Sequence, residues 1–200
     1  MTAAAVPALA EVDAAHRGSS NLEIREKDGF KGVFAKADIE INSFVKLEGV
    51  VSGHPTKYSI QLDENTHLNM PTDEGMIDSP DFFWRYLNHS CQPNGYINTV
   101  ELAFRPLRKI SKGEQCTFNY LTTEYEMAAP FDCLCGAAKC FGFIRGYKHL
   151  SREGRETNYP LSRRLIRPLE ADSHPSSRYR EIVMTNQRLA NTRLVCGRYV

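Results

Sequence analysis

The chain has 200 residues, of which 42% are hydrophobic, and a formal net charge of +1. This length suits one domain with appendages, and the apolar content is enough for a core. The balanced charge favours neither direct binding to nucleic acid nor attraction to a membrane, and the apolar runs are too short to cross a bilayer. We therefore expect a soluble intracellular protein, nuclear or cytoplasmic, and a monomer.

Residues 1–20 are rich in alanine and lack both periodicity and a basic start, so they predict a disordered leader rather than a secretion signal. From residue 21 onwards, short alternating or apolar runs separated by turns predict small strands. These predicted strands lie at 22–24, 32–35, 44–47, 50–51, 58–62, 100–104 and 117–120. Many short strands predict a mainly β fold made of several small sheets.

Other segments lack a strand pattern. Residues 70–81 contain two prolines, a glycine and four acids, which predict a surface loop. Residues 80–87 predict one or two helical turns capped by Ser79. Beyond Gly146 the chain becomes basic and polar, and residues 178–194 predict a helix with a thin apolar face.

The segment from Arg85 to Asn94, RYLNHSCQPN, concentrates amides, an imidazole, a hydroxyl and a thiol. Asn, Ser and Pro-Asn favour loops, because their side chains satisfy nearby backbone groups. A loop so rich in donors and acceptors indicates a site rather than a spacer.

Three cysteines, Cys133, Cys135 and Cys140, follow a C-x-C-x4-C pattern within eight residues. Such crowding in an intracellular chain indicates a zinc site rather than a disulfide framework. Structural zinc takes four ligands, so a fourth must come from elsewhere. Cys91 is the preferred candidate, with Cys116 and Cys196 as rivals, and three reduced thiols without metal are the alternative.

Four segments, in order along the chain, resemble the SET-domain protein lysine methyltransferases. Residues 85–94 resemble the family's R-[FY]-x-N-H-S-C-x-P-N signature, and residues 30–35 resemble its G-x-G-[VL]-[FY]-A element. Residues 110–120 resemble I-x-K-G-E-E-L-T-F-D-Y, and residues 132–144 resemble the post-SET pattern C-x-C-x4-C-x-G-[FWY]-[IL]. The chain departs from these patterns at Phe30, which replaces a glycine, and at Asn119, which replaces an aspartate.

The resemblance implies a SET fold: small sheets with a pseudoknot-like C-terminal segment, followed by a small zinc-binding post-SET segment. It implies transfer of a methyl group from S-adenosylmethionine to a lysine amine of a protein or peptide, with histones among the candidates. It assigns catalysis to Tyr120 and places Phe118 where a Phe leaves room for di- or trimethylation. The implied cofactor-binding residues are Lys31, Gly32, Val33, Tyr58, Arg85, Asn88, His89 and Phe143. The implied structural zinc ligands are Cys91, Cys133, Cys135 and Cys140.

These assignments predict four parts: a leader at 1–20, a SET domain at 21–124, a post-SET segment at 129–148 and a tail of unknown role at 149–200. The chemistry itself requires a neutral lysine, which costs roughly 4 kcal/mol near neutral pH because the free side chain has a pKa near 10.4. Two other functions stay open. One is a non-catalytic SET-like module that binds partners or peptides, which Phe30 and Asn119 favour. The other, less favoured by the charge balance, is a zinc-stabilised nucleic-acid binder.

Overall fold

A computed structural model describes residues 21–27, 29–71 and 80–157. The predicted leader, the cap at Ser79, most of the predicted acidic loop, the predicted helix at 178–194 and Cys196 lie outside these residues. The strands are β1 (Leu22–Lys27), β2 (Phe30–Ala35), β3 (Val45–Lys46), β4 (Val50–Ser52), β5 (Ile60–Asp63), β6 (Thr66–Asn69), β7 (Asn88–His89), β8 (Gly95–Asn98), β9 (Ala103–Pro106), β10 (Thr117–Phe118), β11 (Phe131–Asp132) and β12 (Phe143–Ile144). Three 3-10 helices (Pro80–Tyr86, Tyr120–Thr122 and Tyr147–His149) and one α-helix, α1 (Arg152–Thr157), complete the described elements.

The strands form five small sheets, which confirms the predicted mainly β fold. Three are two-stranded (β1–β2, β7–β10 and β11–β12), and two are three-stranded, in the orders β3–β9–β8 and β4–β6–β5. The pair β7–β10 is parallel, while the other pairs are antiparallel. None of the helices in the described ranges is long and apolar enough to cross a membrane.

The strand predicted over 100–104 was wrong in its boundaries. The chain forms β8, turns through residues 99–102, and resumes as β9. The Asn98 side-chain oxygen accepts hydrogen bonds from the amides of Val100 and Glu101 at 3.0 and 3.1 Å. Leu102 adopts a positive φ of 49°. The Asn98 side chain therefore stabilises a turn where the alternation of apolar residues suggested a strand.

The strand predicted over 117–120 was also too long. It ends at Phe118, and Tyr120 begins a 3-10 helix whose N-cap is Asn119. The Asn119 side-chain oxygen accepts a hydrogen bond from the Leu121 amide at 3.0 Å. An asparagine satisfies a helix N-terminus as an aspartate does, so the cap survives this departure from the family pattern.

The core lies between the sheets and the 3-10 helix Pro80–Tyr86. Its largest fully buried side chains include Trp84, Phe104, Leu68, Leu87 and Ile110. The Trp84 indole donates a hydrogen bond to the Glu48 carbonyl at 2.8 Å, which satisfies its buried N–H. This helix was predicted from the sequence, and it fixes the start of the segment 85–94.

The Asn94 side chain joins the segment 85–94 to the segment 110–120. Its amide nitrogen donates to the Gln115 carbonyl at 2.7 Å, and its oxygen accepts from the Thr117 amide at 2.9 Å. The Ser90 amide also donates to the Phe118 carbonyl at 3.0 Å. Together with the parallel pairing of β7 and β10, these bonds hold two distant parts of the chain side by side.

Candidate active site

A cleft of about 440 Å³ opens between the turn after β1, the segment before β5, the 3-10 helix Pro80–Tyr86 and the loop after Tyr120. Six of the predicted site residues line it: Lys31, Tyr58, Arg85, Asn88, Phe118 and Tyr120. Four others, Gly32, Val33, His89 and Phe143, do not. Residues far apart in sequence therefore meet in one cavity large enough for a small molecule.

Tyr120 lies half-buried in the wall of this cleft. Its hydroxyl donates a hydrogen bond to the Leu87 carbonyl at 2.7 Å, and its ring centroid lies 4.8 Å from that of Phe118. Burial, followed by the charge of Glu124, raises the pKa of the Tyr120 hydroxyl. The hydroxyl is therefore a protonated, fixed dipole at the cleft surface rather than a base.

Asn88 and His89 form β7, and their side chains point to different neighbours. The Asn88 amide nitrogen donates to the Lys31 carbonyl at 3.0 Å, which ties β7 to β2. His89 is buried, and its ring packs edge-on against Tyr120 and Phe131, with centroids 5.3 and 5.8 Å apart. His89 thus lies behind the cleft wall rather than in it.

The two ring nitrogens of His89 have distinct partners. Nδ1 accepts a hydrogen bond from the Tyr120 amide at 3.1 Å, and Nε2 lies 3.2 Å from the Cys91 sulfur. Because Nδ1 is an acceptor, the proton of the neutral ring lies on Nε2 and points at sulfur. Burial lowers the pKa of His89 to about 4, which keeps the ring neutral at pH 7. His89 therefore connects the backbone of Tyr120 to the thiol of Cys91.

The mouth of the cleft combines cations with aromatic rings. The Arg85 guanidinium carbon lies 4.9 Å from the Tyr58 ring centroid and 4.8 Å from that of Tyr86. The Lys31 ammonium lies 5.3 Å from the Tyr86 ring centroid. Stacking on these rings restrains both cations at the cleft, where they can attract a carboxylate.

Gly32 and Val33 contribute to the fold behind the cleft. The Val33 side chain is fully buried in the core. A Cβ at Gly32 would lie 2.4 Å from the Gln115 side-chain nitrogen and 3.1 Å from that of Asn88. A larger residue at this position would therefore displace the end of the flexible Gln115 side chain and crowd that of Asn88. Phe143, in β12, is 49% exposed and lies outside the cleft.

The sulfur atoms of Cys91, Cys133, Cys135 and Cys140 all lie within 4.8 Å of one another. The Cys91 sulfur is 3.9 Å from that of Cys133 and 4.0 Å from that of Cys140. A tetrahedral zinc with bonds of about 2.3 Å places its sulfur ligands about 3.8 Å apart, so this set fits zinc. The rival Cys116 is fully buried in the core and takes no part in the cluster.

The ionisation of these thiols to thiolates also favours a cation at the centre of the cluster. Burial raises the pKa of Cys91 and raises that of Cys133 to about 11. Burial opposes ionisation of Cys135 as well, but hydrogen bonds from the backbone amides of Cys91 and Ala137 lower its pKa to about 6. One thiolate therefore forms readily, whereas several together need a metal ion to balance them.

Several residues that line the cleft were not predicted from the sequence. They include Phe30, whose side chain is 76% exposed, and Glu124 and Met127 in the loop after Tyr120. No motif covers Glu124, since its position depends on contacts with β5, more than 60 residues earlier. The sequence marks Phe30 only as a departure from a glycine pattern.

Comparison with known proteins matches residues 31–121 to the SET domain family. The chain is similar to an H3 lysine-36 specific histone-lysine N-methyltransferase of Chaetomium globosum, at 32% identity over 68% of this chain and 16% of that protein. It is 41% identical to the methyltransferase flvH of Aspergillus flavus, over 44% of this chain and 51% of that protein.

Among solved structures, KRYPTONITE in complex with mCHG DNA and SAH matches 62% of this chain and 28% of that chain, with 24% identity and a TM-score of 0.48.

The chain spans 16% of the first of these curated relatives and about half of the second. The family match includes β2 from Lys31 onwards, the 85–94 segment and Tyr120, which all contribute to the cleft or its wall. Residues 31–121 of this chain are therefore similar to the SET domain family over the part that holds most of the cleft and its wall.

Proposed function

We propose that the protein is an S-adenosylmethionine-dependent protein lysine N-methyltransferase. The observation that carries this proposal is the position of Tyr120 within the SET domain. Its hydroxyl is held by the Leu87 carbonyl at 2.7 Å in a cleft that Asn88 and Lys31 also line. Curated relatives named as histone-lysine methyltransferases support the same activity.

The residues of the cleft supply the steps that this reaction needs. The Tyr120 hydroxyl and the Leu87 carbonyl are hydrogen-bonded polar groups in the cleft that would orient the lysine amine. The apolar wall, including Phe118, would remove water from the amine and so favour its neutral form. Bound S-adenosylmethionine would supply the electrophilic methyl group. Lys31 and Arg85 would hold its carboxylate, and Asn88 would contact the cofactor.

Four cysteines would hold structural zinc: Cys91, Cys133, Cys135 and Cys140. We further propose the domain division given above, with the SET domain at 21–124 and a post-SET segment at 129–148. The cluster's sulfur distances fit this metal, and zinc would tie residues 133–140 to the segment 85–94. Since Phe143 follows the cluster in sequence, we propose that it covers the cofactor when the cofactor is bound.

The substrate is proposed to be a lysine of a protein or peptide, with histone H3 as the first candidate. The first relatives are named for lysine 36 of histone H3, and another is named for lysine 4. We propose that the protein acts on it as an intracellular monomer. The alternative of a non-catalytic module loses support at Asn119, because this residue still caps the helix that begins at Tyr120.

The experiment is methyl transfer from labelled S-adenosylmethionine to histone H3 and to a cell lysate. Wild type should label protein, and Tyr120→Phe should reduce labelling by at least about 100-fold, because the amine loses its alignment. Tyr96→Phe is the matched control, since Tyr96 lies in β8 and does not line the cleft. If wild type labels no protein yet retains a bound partner, the non-catalytic module is the better description.

The number of methyl groups is a separate proposal. Phe118 is buried beside Tyr120 and carries no hydroxyl that would hold water in the space a methylated amine needs. We therefore expect di- or trimethylation from wild type and mostly monomethylation from Phe118→Tyr. A turnover series followed by mass spectrometry measures this, and wild-type product that stops at monomethyl-lysine contradicts it.

A further inference from the structure

Glu124 brings an acidic side chain to the cleft close to Tyr120. It lies in the loop after the 3-10 helix Tyr120–Thr122, lines the cleft and is partly exposed. Its amide donates a hydrogen bond to the Tyr120 carbonyl at 2.8 Å, and its own carbonyl accepts one from the Tyr147 amide at 2.9 Å. The backbone of Glu124 is therefore fixed on both sides.

The carboxylate is oriented through one oxygen. Oε1 accepts hydrogen bonds from the Gln61 amide at 3.0 Å and from the Thr123 hydroxyl at 3.1 Å. The Gln61 side chain in turn accepts from the Tyr125 amide at 2.9 Å, which ties β5 to the same loop. Within the described residues, Oε2 makes no hydrogen bond. One carboxylate oxygen thus stays available at the cleft.

In the described part of the chain, no positive charge compensates this acid. Among the described residues, no lysine, arginine or histidine forms an ion pair with Glu124. The surrounding elements contribute neutral Gln61 from β5, Thr123 and Tyr125 from the loop, and Tyr120 as the neighbouring titratable group. Burial raises the pKa of Glu124 to about 7. An acid without a cation beside a reaction site is costly to the fold and points to a functional role.

We propose that Glu124 takes the proton of the target lysine before methyl transfer. The lysine N–H bond breaks, a bond forms between that proton and Oε2, and the electron pair remains on nitrogen. The neutral nitrogen could then accept the methyl group that bound S-adenosylmethionine would supply, with the electron pair of the carbon–sulfur bond going to sulfur. Glu124 finally releases its proton to water at the cleft mouth. This role rests on the proposed methyltransferase function.

The chemistry needs such an acceptor because most lysine is protonated at neutral pH. A carboxylate in the cleft attracts the incoming ammonium group and can accept its proton directly. Bulk water then does not have to reach the amine to take that proton. Tyr120 cannot serve, since its hydroxyl already donates to Leu87 and its pKa is raised. Glu124 is the acid that lines the cleft next to it on the same loop.

The test is the single-turnover rate of methyl transfer between about pH 5.5 and pH 9.5. Wild type should show an acid limb near pH 7 and then a plateau, as expected for a base of matched pKa. Glu124→Gln keeps the acceptor for the Gln61 amide but loses the base. It should be on the order of 100-fold slower at neutral pH and lack this limb.

Glu126→Gln is the matched control, because Glu126 is exposed and forms an ion pair with Lys148. It should keep the wild-type rate and profile. S-adenosylmethionine affinity and melting temperature show whether Glu124→Gln is folded. If that variant does not fold, the wild-type profile still decides, since a rate that rises steadily to pH 9.5 without a plateau overturns the role.

The two proposals fail differently. A wild type that methylates no protein overturns both the proposed function and the role of Glu124. An active wild type whose rate and pH profile are matched by Glu124→Gln overturns the role of Glu124 alone.

Discussion

The cleft and the cysteine cluster are adjacent but are held together by different means. The cleft wall rests on buried side chains such as Leu87 and Phe118, and its polar groups are fixed by hydrogen bonds. The cluster lies on exposed backbone, where Leu134 is 92% exposed and short loops supply few apolar contacts. The cleft can therefore form from protein interactions alone, whereas we propose that the cluster needs a metal ion to hold its thiols.

His89 joins the two regions. Its Nδ1 accepts from the Tyr120 amide, and its Nε2 lies against the Cys91 sulfur. A metal held by Cys91 would thus sit one side chain away from the backbone of the proposed catalytic tyrosine. The difference between the regions can be tested by disturbing each one separately and then disturbing this link.

The largest effect should follow removal of zinc. Structural zinc contributes binding free energy on the order of 10 kcal/mol, so a strong chelator should release residues 129–148. Hydrogen exchange should rise there and stay low in β5 and β6. Metal analysis should give about one zinc per chain in wild type and less in Cys91→Ser.

Cys116→Ala is the control for loss of a thiol, because Cys116 is buried outside the cluster. It should retain zinc. Full zinc content in Cys91→Ser, or unchanged exchange after chelation, would contradict the dependence of the cluster on metal through Cys91.

A smaller but global effect should follow truncation of the core beneath the cleft. Trp84→Ala should lower the free energy of unfolding by about 3–5 kcal/mol, because Trp84 is buried and its indole bonds to the Glu48 carbonyl. Val51→Ala, at a side chain that is 53% exposed, should change it by less than about 0.5 kcal/mol. Urea unfolding measures both, and equal losses would place the stability of the cleft elsewhere.

The link at His89 should have a smaller effect, on zinc affinity. His89→Phe removes the N–H that points at Cys91, and outer-shell partners of this kind contribute about 10–100-fold to metal affinity. His89→Gln keeps an amide donor and should lose less. Competition with a chromophoric chelator measures the zinc affinity of each variant. Equal zinc affinities in wild type and both variants would contradict the proposed link.

The smallest effect concerns the pH dependence of stability, with opposite signs at two glutamates. Burial raises the pKa of Glu124 to about 7, so wild type should be most stable relative to Glu124→Gln below about pH 4.5 and lose that advantage as pH rises through 7. Hydrogen bonds from Arg108, then Asn94 and Ser111, lower the pKa of Glu114 to about 2.

Wild type should therefore gain over Glu114→Gln above about pH 4.5 and lose this gain as pH falls towards 2. Urea unfolding across the pH range gives both differences. If both stability differences changed with pH in the same direction, the surroundings of the two glutamates would not be as described.

Sequence patterns were sufficient to predict several residues that the fold brings into the cleft or the cysteine cluster. Tyr120, Asn88 and the cysteines were found this way, because each lies in a short run of characteristic residues. They were insufficient for Glu124, whose orientation comes from Gln61 in a distant strand. The same limit explains the turn at Asn98, where a side-chain hydrogen bond outweighed the alternation of apolar residues.

Gly32 shows a subtler limit. The pattern identified the glycine, but its close neighbours, the side chains of Gln115 and Asn88, come together only in the folded chain. Sequence thus located the residue, while the folded chain shows which side chains lie next to it.

The central claim, that this cleft transfers a methyl group to a lysine amine, is tested most directly by the position of the label. Histone H3 incubated with wild type and S-adenosylmethionine carrying a deuterated methyl group should be digested and sequenced by tandem mass spectrometry. We predict the label on the side-chain nitrogen of a lysine, and its loss with Tyr120→Phe. Label on another type of side chain, or an undiminished signal from Tyr120→Phe, would contradict the claim.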